Sequence, residues 1–223
     1  MSLGRPRLHL RETPSTNDRA RTLAVAGAPH GTLVTAGVQT AGRGRQGRTW
    51  TAPPGSSLLL SLVLREVDPL LSLRAGLAVA DLAGAAARVK WPNDVLLDGR
   101  KVAGILAEGR PQEGWAVLGI GVNAAVEPDE LVAGAGTLGR ARGELDAVLE
   151  ELLLALERRL GEPAEACLAA LRGRDALLDQ PLSWAGGSGT GGGIDERGAL
   201  RVRLDSGGET LLDAGEVHLG TAD

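Results

Sequence analysis

Phenylalanine and tyrosine are absent from this chain of 223 residues, and cysteine occurs once, at Cys167. A single cysteine excludes an intramolecular disulfide and a metal cluster held by several thiolates, and it is typical of a reducing compartment. The three histidines, His9, His30 and His218, lack the spacing of a metal site, so zinc chemistry is not expected. The G-x-S-x-G motif of serine hydrolases is missing as well.

The chain also lacks an excess of positive charge. Its 24 basic and 28 acidic residues give a net charge of -4, which removes the long-range attraction that general nucleic-acid or anionic-membrane binders need. Apolar runs such as residues 57–64 are too short to span a bilayer, and the first ten residues have no apolar core of a signal peptide. We therefore expect a soluble cytoplasmic protein with no nucleic acid and no membrane as partner.

Lysine and asparagine are scarce. The only lysines are Lys90 and Lys101, and the only asparagines are Asn17, Asn93 and Asn123. Our hypothesis is a coding bias that removes these residues wherever a substitute serves, so those that remain mark positions where a substitute fails. An ammonium differs from a guanidinium in geometry and hydration, and a retained lysine therefore suggests a point-charge role.

Hydrophobic periodicity and turn residues predict alternating strands and helices over most of the chain. Helices are predicted over residues 15–27, 68–87 (Asp68 as cap, Pro69 first), 145–160 and 163–172, and strands over 32–39, 57–64, 89–91, 95–97, 101–108 and 115–123. After Asp179 the sequence changes to short β-like pieces between Gly-rich turns, which predicts a small β-barrel docked on the first domain. We place the domain boundary between residues 1–176 and 177–223.

A 17-residue stretch, residues 41–57, is rich in Gly, Pro and Arg and has no apolar period. Residues 42–47 match G-x-G-x-x-G, but residues 48–54 cannot open the helix that a dinucleotide-binding turn requires. The exposed backbone N–H groups and three guanidiniums predict a mobile loop that closes over phosphates or a carboxylate, and Trp50 can stack on a purine. Two other interpretations stay open: a solvated loop with a core tryptophan, and a short Arg/Gly box for nucleic acid.

The segment KWPND (residues 90–94) is followed by a turn at Asp98-Gly99 and a return strand. Strand alternation would put Lys90 and Pro92 on one side and Trp91 and Asn93 on the other. Asn93 can read an adenine edge, Asp94 can hold magnesium, and Gly104 leaves room for a ligand beside the strand. The alternative is an ordinary hairpin with two exposed lysines, but the scarcity of lysine and asparagine favours a site.

Three further features are interpreted as structural. Cys167 lies in a helical pattern and is expected to be a small buried hydrophobe. The Gly-rich run Gly186–Gly193 is interpreted as a hairpin loop, and Ser15-Thr16-Asn17 as a helix cap whose hydroxyls can also bind a ligand. Because no activated nucleophile and no histidine base is evident in the sequence, any chemistry is expected to depend on charge and positioning.

An ordered set of motifs resembles the biotin protein ligases over nearly the whole chain. The set comprises Ser15-Thr16-Asn17, QTAGRGRQGRTW (39–50), KWPND (90–94), the lysine and glycine of RKVAGIL (100–106), GIGVN (119–123), and GID..G.L with GEV near the end. Each piece alone is weak, whereas the combination is highly specific. All three asparagines and both lysines lie within it.

The resemblance implies an α/β (α+β) fold, with a mixed, largely antiparallel sheet and helices like the catalytic domain of class II aminoacyl-tRNA synthetases, plus a small C-terminal Src-homology-3-like β-barrel. It implies that biotin and ATP, with Mg2+, give biotinyl-5'-adenylate and pyrophosphate. The biotinyl group would then pass to a lysine of a biotin carboxyl carrier protein, an acetyl-CoA carboxylase subunit. Because relatives are often dimers, a homodimer is compatible with the resemblance.

Site residues follow from the same resemblance, carried over position by position. Biotin would be bound by Ser15, Thr16, Asn17, Gln39, Gly42, Arg43, Lys101 and Gly104. ATP would be bound by Arg45, Arg48, Trp50, Lys90, Asn93 and Asn123. The catalytic cations would be Lys101, bridging the biotin carboxylate and the α-phosphate, together with Arg45 and Arg48, which close on phosphates. Asp94 would be a magnesium ligand.

The sequence departs from the family pattern at two points. The first motif begins at residue 15, which leaves no room for the N-terminal helix-turn-helix of some relatives, so a DNA-binding repressor is not expected. Gly220 stands where relatives often have an arginine near the nucleotide, which weakens the case for the barrel binding ATP. Two alternative functions stay open, a lipoate-type ligase of the same fold and a non-catalytic protein with an inactive ligase domain.

Overall fold

The computed structural model describes residues 3–220, which form four α-helices and twelve strands. The helices are α1 (Thr16–Val25), α2 (Leu71–Ala83), α3 (Leu145–Gly161) and α4 (Ala164–Arg172). The strands are β1 (Arg7–Thr13), β2 (Leu33–Gln39), β3 (Leu58–Leu64), β4 (Arg88–Lys90), β5 (Asp94–Leu97), β6 (Arg100–Arg110), β7 (Trp115–Val122), β8 (Pro181–Trp184), β9 (Gly187–Ile194), β10 (Leu200–Leu204), β11 (Glu209–Leu212) and β12 (His218–Leu219). No helix within residues 3–220 is long and apolar enough to cross a bilayer.

Seven strands form one sheet in the order β1-β2-β3-β7-β6-β5-β4. Only the pair β1 and β2 is parallel among these described strands, and the other neighbours are antiparallel. The mixed, largely antiparallel sheet that the family resemblance implied is therefore confirmed. The predicted turn at Asp98-Gly99 joins β5 to β6, and both residues have positive φ angles of 50° and 75°.

Both faces of the sheet are covered. On one face, β3 side chains such as Leu60 and Leu62 pack with Leu77 of α2 and Leu152 of α3. On the other, α1 contributes Ala20 and Ala24 to a smaller cluster with Val34, Val63 and Val117. Burial on both sides explains the continuous apolar run of β3, which is typical of strands with two packed faces. The candidate site lies on the α1 face.

Helix α2 is shorter than the prediction over residues 68–87. Asp68 does not cap the helix; its Oδ1 accepts a hydrogen bond from the Leu70 backbone N–H at 2.7 Å, which forms a turn before the helix begins at Leu71. Gly84 ends the helix with a φ of 99°, a conformation that an L-residue rarely adopts. The helix therefore begins after the turn at Asp68 and ends before Gly84, inside the predicted range.

The second sheet has the order β11-β10-β9-β8-β12 and is antiparallel throughout. It confirms the predicted small β unit, but the interpretation of Gly186–Gly193 as a hairpin loop was wrong, because Gly187–Ile194 form β9. A Cβ at Gly189 or Gly191 would overlap the carbonyl oxygen of Arg203 or Leu177. Glycine serves here as the residue that lets neighbouring backbones approach closely.

The two sheets share one hydrophobic core. Leu177, Leu182 and Leu200 belong to the same cluster as the side chains under α2. Ala176 donates its backbone N–H to Val89 of β4, whereas Asp179 donates to Gly191 of β9, so the chain changes sheets between these positions. The boundary between 1–176 and 177–223 stays a prediction.

Candidate active site

A pocket of about 680 Å³, counted to its open mouth, lies on the α1 face of the large sheet. Its wall includes most of the residues predicted for the site, namely Ser15, Thr16, Asn17, Gln39, Arg43, Arg45, Arg48, Trp50, Asn93, Lys101 and Gly104. Trp50 and Leu106, which alternates with the core residue Ile105 along β6, add apolar surface between the polar ends.

The N-terminus of α1 supplies uncharged polar groups to the pocket. Ser15 is the N-cap residue, but its side chain makes no capping hydrogen bond within the described chain. The Thr16 backbone N–H donates to Oε1 of Gln39 at 2.7 Å, and the Thr16 hydroxyl lies 3.0 Å from the same oxygen. Ser15, Thr16 and Asn17 are at most 4 % exposed. The sequence favoured a helix cap for this motif. Ser15 does occupy the N-cap position, but all three residues line the pocket.

Glu108 of β6 ties this helix end to the arginine-glycine loop. Its carboxylate accepts from Asn17 Nδ2 at 2.9 Å, from Arg21 Nη2 at 2.9 Å and from Arg43 Nη2 at 3.0 Å. Arg43 also pairs with Asp18 at 2.9 Å. The loop therefore begins at a fixed point on α1 and β6, although Arg43 and residues 46–49 are exposed.

Two paired glycines form a flat floor under Trp50. Gly104 of β6 and Gly121 of β7 are cross-strand partners, and a Cβ on them would lie 3.0 and 2.5 Å from the indole ring. Gly42, which is buried, would likewise clash with the Trp50 carbonyl oxygen if it carried a Cβ. Gly104 was expected to leave room for a ligand; in this structure that room holds the tryptophan ring.

Two arginines of the loop bring positive charge to the mouth of the pocket. Arg45 donates to Oδ1 of Asn93 at 3.3 Å, and Arg48 pairs at 2.7 Å with Glu216, which lies between β11 and β12. The pKa of Arg45 is lowered, first by burial and then by the positive charge of Arg48. The carboxylates of Asp94 and Glu216 oppose this lowering in part.

Lys101 brings a third cation to the pocket, from strand β6. Its Nζ lies 2.7 Å from Oδ1 of Asp94 and 5.8 Å from the centre of the Trp50 ring. Asp94 is only 19 % exposed, and within residues 3–220 no group of three or more histidine, cysteine or acidic side chains could hold a metal. Magnesium commonly binds proteins through one or two carboxylates plus substrate phosphates. Asp94 offers one carboxylate of this kind, which is paired with Lys101 in this structure.

Residues 91–93 of the KWPND segment form a turn between β4 and β5, and the alternation expected for a strand was wrong. Trp91 is 3 % exposed, and its Nε1 donates to the carbonyl oxygen of Gly198 at 2.9 Å. Asn93 instead lines the pocket, and its Nδ2 donates to the carbonyl oxygen of Ile105 at 3.1 Å. Trp91 and Asn93 point to different places because the strand β4 ends at Lys90.

Lys90 and Asn123 are not brought into this pocket. Lys90 is half-buried and faces Asp94 across the β4–β5 ladder. Asn123 donates its Nδ2 to the carbonyl oxygen of Gly136 at 3.0 Å and lines a separate cleft with residues 51–53. Trp50 lines the pocket and the next three residues line this cleft, so the two cavities are neighbours along the chain. The role of Asn123 in ATP binding stays a prediction.

Sequence reasoning missed four residues of the site. Gly119 and Gly121 lie two positions apart on β7, a spacing that puts both on one face of a strand and could have identified them. Ser61 is the single polar residue of LLLSLVL, which is also a usable signal. Nothing in the sequence around Glu108 indicates its contacts.

The remaining polar candidates lie apart from the pocket. Cys167 is fully buried, as expected, and burial raises the pKa of its thiol. His9 contacts Thr35 on the edge of the sheet, with 2.9 Å between Nδ1 and Oγ1. Neither residue has a place in the site.

A sequence model of the Biotin/lipoate A/B protein ligase family matches residues 10–124, which include the α1 end, the arginine-glycine loop and the glycine floor. The chain belongs to this family.

Two curated relatives of this family and one solved structure are similar to the chain. The biotin–[acetyl-CoA-carboxylase] ligase of Mycobacterium tuberculosis is 38 % identical over 235 residues, covering 93 % of this chain and 87 % of the relative. The bifunctional ligase/repressor BirA of Bacillus subtilis is 41 % identical over 164 residues, covering 65 % of this chain, which spans 50 % of that protein's length. The biotin protein ligase from Aquifex aeolicus in complex with biotin and ATP has a TM-score of 0.81 and 26 % identity, covering 97 % of this chain and all of the other.

Proposed function

We propose that the protein is a biotin–[acetyl-CoA-carboxylase] ligase, which activates biotin with ATP and transfers the biotinyl group to a carrier protein. One observation carries the proposal. A single pocket joins uncharged hydrogen-bonding groups at the α1 end to three cations, Lys101, Arg45 and Arg48, across an apolar middle. This order matches a molecule with a ureido ring at one end, a hydrocarbon chain and a carboxylate that meets a nucleotide.

In the first half-reaction, the carboxylate oxygen of biotin attacks the α-phosphorus of ATP, an O–P bond forms, and pyrophosphate leaves. The carboxylate is itself the nucleophile, so the reaction needs no activated side chain. Lys101 would lie between the carboxylate and the α-phosphate, while Arg45 and Arg48 would hold the phosphates that leave. These cations stabilise charge that develops in the transition state, and a closed loop would exclude water from the adenylate.

The remaining site residues would bind and orient the two substrates. Ser15, Thr16, Asn17 and Gln39, with the backbone near Gly42 and Arg43, would bind the ureido ring. Trp50 would leave the glycine floor or stack on a ligand there, and Asn93 would exchange its contact with Arg45 for an adenine edge. Asp94 would be the one protein ligand of Mg2+. When bound, this ion would neutralise part of the phosphate charge.

In the second half-reaction, the amine of a carrier lysine attacks the biotinyl carbonyl carbon, an amide forms, and AMP leaves. The partner would be the biotin carboxyl carrier protein. We expect both proteins to be in the cytoplasm. A homodimer is a further expectation carried over from relatives.

Exchange of labelled pyrophosphate into ATP tests the proposal. We expect exchange that depends on biotin and is at background level with lipoate or octanoate, because a dithiolane ring or a plain chain offers no partner for Thr16 and Gln39. Exchange driven by lipoate would instead indicate the lipoate-type activity. Tight binding of biotin without exchange would indicate an inactive ligase domain. Incubation with ATP, biotin and a carrier domain should then add one biotinyl mass to that domain.

A further inference from the structure

The GID..G.L motif (residues 193–200) contains a closed turn between β9 and β10. Asp195 is 5 % exposed, and its Oδ1 accepts hydrogen bonds from the backbone N–H groups of Arg197 at 2.9 Å and Ala199 at 2.8 Å. The Asp195 backbone N–H in turn donates to the Ala199 carbonyl oxygen at 2.9 Å. A carboxylate that binds backbone N–H groups a few residues further on fixes the shape of a turn. This turn of the second sheet is therefore rigid through its own residues.

Gly198 brings this turn into contact with the larger part of the molecule. Its φ is 85°, which an L-residue rarely adopts, and a Cβ would lie 2.7 Å from Leu70 and 3.3 Å from Leu73 at the N-terminal end of α2. Its carbonyl oxygen accepts a hydrogen bond from Nε1 of Trp91 at 2.9 Å. Trp91 is 3 % exposed and belongs to the same hydrophobic cluster as Leu70 and Leu73. The turn is therefore docked by close apolar contacts and by one buried hydrogen bond.

Trp91 also begins the turn that presents polar groups to the pocket, between β4 and β5. Asn93, two residues further on, lines the pocket, and Asp94 starts β5 and lies 2.7 Å from Nζ of Lys101. The backbone carbonyl oxygen of Asn93 accepts the N–H of Ile105 in β6 at 2.8 Å. The large sheet thus holds this short turn at Asn93, and the second sheet holds it at Trp91.

We propose that Trp91 is a positioning residue through which the second sheet holds the nucleotide part of the site. The inference rests on the proposed function, in which Asn93 meets the adenine edge. Without the indole N–H, the buried carbonyl oxygen of Gly198 loses its donor, and the contact between the two turns weakens. ATP then meets a turn that is less well positioned, whereas the biotin end, which is built from α1 and β2, is unaffected. This role of the second sheet does not need the arginine that Gly220 replaces.

Trp91→Phe tests the inference, because it removes the indole N–H and keeps an aromatic ring in the core. KM for ATP, measured by biotin-dependent pyrophosphate exchange, should rise about tenfold, a typical effect of leaving one buried polar group unpaired. The Kd for biotin, measured by calorimetry without ATP, should not change. Trp115→Phe is the matched control: Trp115 is also 3 % exposed, and its Nε1 donates to Glu113 at 2.8 Å, at the opposite end of β7 from the glycine floor. This variant should leave both values unchanged.

Gly198→Ala tests the same contact from the second sheet, because a Cβ at this φ strains the turn. It should raise KM for ATP without changing the Kd for biotin, and it decides the matter if Trp91→Phe does not fold. The double variant should be no worse than the more severe single variant, since both changes act through one contact. A folded Trp91→Phe protein with the wild-type KM for ATP, or with biotin and ATP binding weakened equally, contradicts the inference. If the wild type shows no biotin-dependent exchange, the proposed function fails and the inference fails with it.

Discussion

Lys101 is the residue on which the proposed chemistry depends most. Its ammonium lies 2.7 Å from the Asp94 carboxylate, and its strand, β6, is hydrogen-bonded to β5 on one side and β7 on the other. The position of Lys101 is therefore fixed before any ligand arrives. A preorganised cation stabilises developing negative charge more effectively than water does, because it needs no reorganisation during the reaction.

We predict that Lys101→Ala lowers the rate of adenylate formation by about 10²–10³, the typical cost of losing one preorganised donor, while the fold stays intact. Single-turnover formation of the adenylate measures this rate, and circular dichroism checks the fold. Arg100→Ala is the matched control, because Arg100 is an exposed cation at the adjacent position. Near-wild-type turnover of the Lys101 variant would remove this residue from the mechanism.

Scarce residue types predicted part of the site but could not separate ligand contacts from structural ones. Lys101, Asn17 and Asn93 lie at the pocket, as the hypothesis of retained residues suggests. Asn123 is instead used to hold the backbone at Gly136, and Lys90 lies beside Asp94 in a ladder. An amide that pairs with backbone is as hard to replace as one that pairs with a ligand, so scarcity alone does not distinguish them.

At the scale of elements, the arginine-glycine loop is the segment expected to respond to ligand. It is tethered at its start through Arg43 to Glu108 and near its end through Arg48 to Glu216. Both pairs are partly exposed, and such pairs contribute about 0–1 kcal/mol each. Phosphate oxygens can therefore replace these carboxylates as partners of the arginines.

We predict that trypsin cleaves within residues 42–48 in the free protein and much more slowly with biotin plus ATP present, because the loop orders over the adenylate. Mass spectrometry of the fragments identifies the cut. Glu108→Gln should speed cleavage of the free protein by weakening the Arg43 tether, whereas Glu165→Gln, an exposed carboxylate on α4, should not. Equal cleavage with and without ligands would contradict the closing-loop interpretation.

Helices α2 and α3 are joined by a carboxylate in a cluster of arginines. Asp81 of α2 lies 2.6 Å from Arg158, 2.7 Å from Arg159 and 3.4 Å from Arg174. Burial alone would raise the pKa of Asp81, but the hydrogen bond from Arg159 and the charges of all three arginines lower it below its ordinary value of 3.8. Asp81 therefore stabilises the fold fully above that value and loses its contribution as the pH falls through its lower folded pKa.

We predict that Asp81→Asn lowers the free energy of unfolding at pH 7 by about 3 kcal/mol, since it leaves partly buried arginines without their partner. Urea unfolding from pH 7 to pH 3 measures the difference from the wild type, which should shrink as Asp81 becomes protonated. The exposed Asp129→Asn is the control. A constant difference across this pH range would show that the carboxylate charge is not responsible.

Periodicity predicted most of the elements, but it missed strand β1 and the structural roles of several glycines. Strands β2, β3, β6 and β7 and helices α1, α3 and α4 lie within a few residues of the sequence prediction. Strand β9 was missed because glycine is depleted in strands. Glycine is needed in β9 because the backbones of Leu177 and Arg203 pack closely against it, a contact that exists only in the folded state.

At the scale of the whole molecule, the segment between β11 and β12 contacts the wall of the pocket. Glu216 of the GEV motif pairs with Arg48, one of the cations assigned to the phosphates. Gly220 follows β12, so the arginine that relatives often have is not available there. Glu216 thus contacts a loop arginine that we propose for the phosphates, and the second sheet shares one hydrophobic core with the large sheet.

A crystal structure of the protein with biotin and a non-hydrolysable ATP analogue tests the central claim most directly. The account predicts the ureido ring against Thr16 and Gln39, the carboxylate beside Lys101, and the phosphates under Arg45 and Arg48 with the loop closed. A structure in which both ligands bind elsewhere and this pocket stays empty would contradict it.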